Sequence, residues 1–182
     1  TITGGGKATT YIDATGLDRV IEVMSNAALV LNDLTVEGGA LEVGNGAGIE
    51  SSGDLTLNNT TVANNTITGD PEVEYNGVGI YCAAGTVSLT DSVVRYNHLT
   101  DDTRLVNGAG LYQNVDCTSV TVTRSIFTYN QGYQGGGLYL NESPTNTIAL
   151  TNVEFSHNTS VLNGAGIFVS GAEGDQAAEL NR

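Results

Sequence analysis

One phrase, occurring five times, decides the fold: Asn45-Gly46-Ala47-Gly48-Ile49, Asn76-Gly77-Val78-Gly79-Ile80, Asn107-Gly108-Ala109-Gly110-Leu111, Gln134-Gly135-Gly136-Gly137-Leu138 and Asn163-Gly164-Ala165-Gly166-Ile167. Its copies begin 27 to 31 residues apart. Between them runs a second phrase: Leu55-Thr56-Leu57, Val87-Ser88-Leu89, Val120-Thr121-Val122 and Ile148-Ala149-Leu150. Five residues after the last apolar member comes Val62, Val94, Phe127 or Phe155, and three further on Asn65, Asn97, Asn130 or Asn158. A degenerate earlier copy reads Leu29-Val30-Leu31, Val36 and Gly39. Each repeat holds short apolar–polar alternations divided by Gly, Asn, Asp and Ser, which read as strands and tight turns. A unit this short cannot bury its own apolar face, but stacked copies can. Ile49, Ile80, Leu111, Leu138 and Ile167 then form one internal ladder, and Leu57, Leu89, Val122 and Leu150 a second. With coils about 4.8 Å apart, the distance between hydrogen-bonded strands, the expected fold is an all-β parallel β-solenoid of about five to six coils.

The glycines suit corners that need positive φ or a close backbone approach. The recurrent Asn is expected to be the left-handed turn residue itself, its amide bonded to the counterpart one coil away. Composition narrows the function. Twenty acidic residues against six basic ones leave a formal charge of −14, which repels phosphate backbones and excludes nucleic acid as a partner. The longest apolar run, Ala27 to Leu31, is too short to insert in a bilayer.

The segments Phe127-Thr128-Tyr129-Asn130 and Phe155-Ser156-His157-Asn158, alternating with Gly-Ala-Gly-Ile and Gly-Gly-Gly-Leu, resemble the repeats of polymorphic outer membrane proteins. They equally resemble pectate-lyase-like, right-handed parallel β-helix proteins of bacterial surfaces. The opening from Tyr11 to Val23 resembles the first coils of that second group. The resemblance implies a right-handed helix and a surface location, and leaves the activity open. It covers about residues 3 to 170, so the chain reads as a single domain over 1–182. Residues 1–44 form degenerate first coils, 45–75, 76–106, 107–133 and 134–162 regular coils, and 163–182 an incomplete one. That incomplete coil suggests a segment of a longer solenoid.

Catalysis of the pectate-lyase kind would need carboxylates for Ca²⁺ and a basic residue that abstracts a proton. Of the six basic residues only Arg124 is well placed, in line with Asn59, Asp91 and Asn152, and an ion pair with Asp91 one coil away explains both. His98 and His157 fall in different kinds of segment. Gly4-Gly5-Gly6-Lys7 lacks the spacing and the helix of a phosphate loop. No catalytic residue is assigned. The expected function is a non-catalytic extracellular or cell-surface module, structural or adhesive, that contacts other copies of itself or surface glycans. A carbohydrate-binding or carbohydrate-active protein is the alternative. An ice-binding solenoid is a third class, prompted by outward Thr at 56, 90, 121, 123 and 151 but interrupted by Asn58, Ser88 and Ala149.

Three sets of residues carry site expectations. Cys82 and Cys117 occupy the same bend in consecutive coils, within the Cα separations a disulfide allows, which points to an oxidising compartment. Segments 66–75 and 97–106 are expected register mates, bringing Asp70, Glu72 and Glu74 against Asp101 and Asp102. No cofactor is required, and Ca²⁺ is the ion such an acidic rim would take. Finally Tyr81, Tyr112, Tyr139 and Phe168 each follow the internal Ile or Leu of the glycine phrase. Strand alternation sends them outward, giving an expected exposed aromatic ladder for sugar rings or a second copy.

Overall fold

The computed structural model describes residues 1–69, 73–100, 106–143, 145–171 and 179–181. Its strands pair in parallel, coil upon coil, into four sheets that run the length of the molecule. One coil shows the order. Asp54–Asn58 lies in the first sheet, Thr61–Ala63 in the second, Thr66–Ile67 and Tyr75–Asn76 in the third, and Ile80–Cys82 in the fourth. Gly85–Thr90 then re-enters the first sheet directly above Asp54–Asn58. The solenoid begins early: Ile2–Thr3 pairs with the strand Ala28–Asn32, and Tyr11–Asp13 with Thr35–Glu37.

The two expected ladders are both internal. Ile49, Ile80, Leu111 and Leu138 are fully buried in register, as are Leu57, Leu89 and Val122. They share one core with Val62, Val94 and Phe127, and the Phe127 ring stacks on Phe155 at 5.1 Å. The corners divide the work between residue types. The first glycine of the phrase takes positive φ, 59° at Gly77. The second is needed for room: a Cβ at Gly79 would lie 2.7 Å from the Gly110 carbonyl oxygen and 2.8 Å from Asn97 Nδ2.

That contact joins the two recurring phrases, because Asn97 belongs to a buried ladder. Asn65 Nδ2 donates to Asn97 Oδ1 at 2.8 Å, Asn97 Nδ2 to Asn130 Oδ1 at 3.0 Å, and Asn130 Nδ2 to Asn158 Oδ1 at 3.0 Å. The left-handed residue is not the ladder Asn but the one before it: Asn64, Tyr96, Tyr129 and His157, with φ of 54° or 55°. The ladder Asn must keep its amide turned into the bend, so its neighbour absorbs the reversal and its side chain is thrown outward. At the preceding corner Asn59, Asp91, Arg124 and Asn152 also take positive φ. Just after them sits a small internal hydroxyl ladder, with the Thr60 N–H donating to Ser92 Oγ and the Ser92 N–H to Ser125 Oγ.

Candidate functional site

The aromatic ladder of the fourth sheet forms in the expected register, Tyr81 beside Tyr112, Tyr139 and Phe168 in turn. Ring centroids are 5.6, 4.7 and 5.0 Å apart. Its exposure is corrected by the structure: Tyr112 is 6% and Tyr139 8% accessible. Each of these two rings is flanked by its neighbours on both sides, so the faces a sugar would stack on are already occupied. Asn141 Nδ2 lies 3.4 Å from the Tyr112 hydroxyl. Burial pushes the Tyr112 phenol up to about 12, and it also raises Tyr81, with Glu50 and Asp116 adding to the effect there. Tyr112 and Tyr139 are thus walled in by their neighbours, while Tyr81 and Phe168 at the ends of the ladder stay partly exposed.

The expected acidic rim lies largely outside the described residues, as Asp70, Glu72, Asp101 and Asp102 do. Glu74 is described, and its Oε1 accepts a hydrogen bond from Asn107 Nδ2 at 2.7 Å. The register of the two loops is also corrected. Thr66 pairs with His98 rather than with residue 97, while Tyr75 pairs with Val106, so the second connection is one residue shorter than the first. Among the described residues no group of three or more His, Cys, Asp or Glu is placed to hold a metal.

Cys82 and Cys117 form a disulfide with Cα atoms 5.7 Å apart. They are not register mates: Cys82 pairs with Gln113 in the fourth sheet, and Cys117 with Gly85 in the first. The bridge therefore crosses the corner diagonally and links consecutive coils. Arg124 meets Asp91 through Nε and a terminal nitrogen, each at 2.8 Å. The hydrogen bond from Arg124 holds the exposed Asp91 carboxyl below its usual range. Both of these bonds run to a neighbouring coil, as a surface clamp would.

The outward aromatic strip is elsewhere, on the left-handed residues before the ladder Asn. Tyr96 and Tyr129 are 42% and 46% accessible, and His157 is exposed. Their rings stack, Tyr96 on Tyr129 at 5.1 Å and Tyr129 on His157 at 4.7 Å, within 19° of parallel. Arg95 holds its guanidinium carbon 5.6 Å from the centre of the Tyr96 ring. Tyrosine in the left-handed region costs about 1–2 kcal/mol relative to the right-handed alternatives. The first coil of the strip has Asn64 there, a residue that tolerates the conformation far better. Two tyrosines thus occupy corners that the fold fills more comfortably with asparagine, as at Asn64.

Beside the strip runs a second rail, the residues that follow the ladder Asn: His98, Gln131 and Thr159, in register on the third sheet. His98 Nδ1 lies 3.3 Å from the Tyr96 carbonyl, a contact in which the ring nitrogen donates. Between the rails lies a groove of about 480 Å³. Its walls carry phenols, imidazoles, amides and a hydroxyl, with no carboxylate and no ammonium group among the lining residues. A larger hollow of about 570 Å³, walled by Gly16 to Asp18, Ala40 to Val43 and Thr68, holds no aromatic ring. The sequence shows Tyr129 only within a repeat and sets His157 apart from His98, whereas the structure brings both histidines to one groove. The signal that marks Tyr129 and His157 is position: a bulky residue just before an inward-pointing Asn has nowhere to go but out.

A family model described as "Right handed beta helix region" matches residues 20–181. Neither a curated protein nor a solved structure matches the chain.

Proposed function

We propose that this chain, which belongs to the right-handed β-helix family, is an extracellular adhesive module that holds its partner without transforming it. The observation that carries this reading is the exposed strip Tyr96–Tyr129–His157, in which two tyrosines hold a left-handed backbone. Backbone strain kept at surface residues that contribute little to the core is characteristic of sites that bind. The buried disulfide supports the location, because such bridges persist in oxidising compartments. Self-association through the fourth-sheet ladder has less surface to use, since Tyr112 and Tyr139 are buried.

The test is retention on intact cell surfaces and insoluble polysaccharide matrices. The double variant Tyr96→Asn/Tyr129→Asn keeps residues suited to positive φ and removes both rings. It should fold with an unchanged far-UV spectrum and lose at least tenfold in retention. Undiminished retention would remove the strip from adhesion, and release of soluble sugar during prolonged incubation would overturn the non-catalytic part of the reading.

A further inference from the structure

We infer that the open edge of the third sheet, beside the first coil, takes an extended basic segment of a partner protein as one added strand. This surface is separate from the ring strip, and the inference goes beyond the adhesive reading.

Topology leads there first. The first coil gives a strand to three of the four sheets: Ile2–Thr3 to the first, Tyr11–Asp13 to the second and Ile21–Val23 to the fourth. It gives none to the third, whose path ends one coil later on Ala40–Leu41. At that place the chain turns through residues 16–18 and runs on to Val20, whose N–H already donates to the Ala47 carbonyl. The hollow of about 570 Å³ lies between this turn and the Ala40–Leu41 edge.

The backbone of the edge is the second observation. Successive residues of a strand in a parallel sheet bond to opposite neighbours. The Gly39 and Leu41 carbonyls accept from the Thr66 and Thr68 amides of the next coil, so Ala40 addresses the hollow. Its N–H donates to the Asp18 carbonyl at 3.1 Å. The Ala40 carbonyl and the Glu42 N–H continue that row with no first-coil strand to meet them. Strand addition uses such a row: main-chain bonds hold the incoming segment and its side chains select it.

The third observation is the chemistry of the wall. Leu17 and Val43 flank the hollow at 83% and 74% accessible, the two most exposed large apolar side chains among the described residues. Asp18 and Glu42 add two carboxylates, and no cation lines the wall. The adjacent Arg19 is committed to Glu22, Glu50 and the carbonyls of Asn45 and Gly46. A segment carrying both apolar and basic side chains answers each of these groups. A second copy does not: at a net charge of −14, pairing two such edges sets carboxylate against carboxylate, a recognised guard against self-pairing. The same field draws a cationic segment in.

The experiment is an anisotropy titration of the intact chain with a labelled peptide of alternating Lys and Val. A backbone N-methylated form, a Glu-Val counterpart and an oligolysine of equal charge serve as comparison probes. The Lys-Val peptide should saturate, slow hydrogen exchange at the Glu42 amide, and bind about tenfold more tightly than the N-methylated form, which lacks strand donors. The Glu-Val peptide should not bind. Leu17→Ser/Val43→Ser, a change at exposed side chains, should keep the parent's melting temperature and lose about tenfold in affinity. Tyr96→Asn/Tyr129→Asn should bind the peptide as the parent does. Equal binding of the N-methylated peptide or of oligolysine would overturn the proposal, as would full affinity in Leu17→Ser/Val43→Ser or no binding at all. A parent that sediments as a dimer, with Leu17→Ser/Val43→Ser a monomer, would assign the edge to a second copy and overturn it too. If surface retention needs the ring strip while no peptide binds, this inference fails and the adhesive reading stands.

Discussion

Tyr112 shows how a single side chain changes meaning with its surroundings. Alternation correctly turns it away from the aliphatic core, but turning away from the core is not the same as meeting solvent. Tyr139 stacks on it at 4.7 Å and Tyr81 packs tilted against it at 5.6 Å, and burial carries its phenol to about 12. An unfolded tyrosine ionises near 10. Below that value both states are protonated and the contribution to stability is complete. As the pH rises from 10 toward 12 the unfolded chain releases its proton while the native Tyr112 keeps it, so stability is lost across that window. A phenolate absorbance titration of the native protein should show one tyrosine ionising about two units above the free amino acid. In Tyr112→Phe that late step should vanish. A late step that persists in the variant assigns the shift to another tyrosine.

At the scale of the element, the Asn ladder does what a helix cap does elsewhere: it supplies partners for backbone groups turned into a bend. Asn97 accepts from the backbone and the side chain of Asn65, and donates to the Val62 carbonyl and to Asn130 Oδ1. Truncation to Ala leaves several of these buried groups without partners, at about 1–3 kcal/mol each. Asn97→Ala should therefore lower stability by about 3 kcal/mol or more in urea unfolding. The matching truncation of the neighbouring corner residue, Tyr96→Ala, should cost far less. Equal losses at the two positions would mean that the outward ring, and not the ladder, holds the bend. The glycine phrase is part of the same device, since Gly79 leaves the space that the Asn97 amide fills. Repetition made both phrases legible in the sequence, but which member carries positive φ was not. Asn is the common residue for that conformation, and only the inward hydrogen bonds show that it is needed for something else.

For the whole molecule, stability is close to a sum over coils and their interfaces, because each coil touches only its neighbours. A cross-link between consecutive coils acts on that sum directly. The Cys82–Cys117 bridge spans 35 residues of sequence, and closing a loop of that size in the unfolded chain is worth about 4 kcal/mol in the chain-entropy model. Cys82→Ala/Cys117→Ala should lose about 2–4 kcal/mol, and adding reductant should have no further effect on it. If reductant destabilises the variant as much as the parent, the bridge is not the source of the effect.

Sequence alone determined the solenoid, its two aliphatic ladders and the proximity of the cysteines, because a stacked fold repeats its local chemistry in register and periodicity exposes it. It could not rank the outward positions. Both Tyr112 and Tyr129 point away from the aliphatic core, yet one is walled in and the other stands in the open. The difference comes from where the corners fall around the coil. Tyr112 lies in a strand whose flanks are covered, while Tyr129 sits on a left-handed corner that projects its ring. Exposure depends on what packs alongside in three dimensions, and no spacing along the chain encodes that by itself.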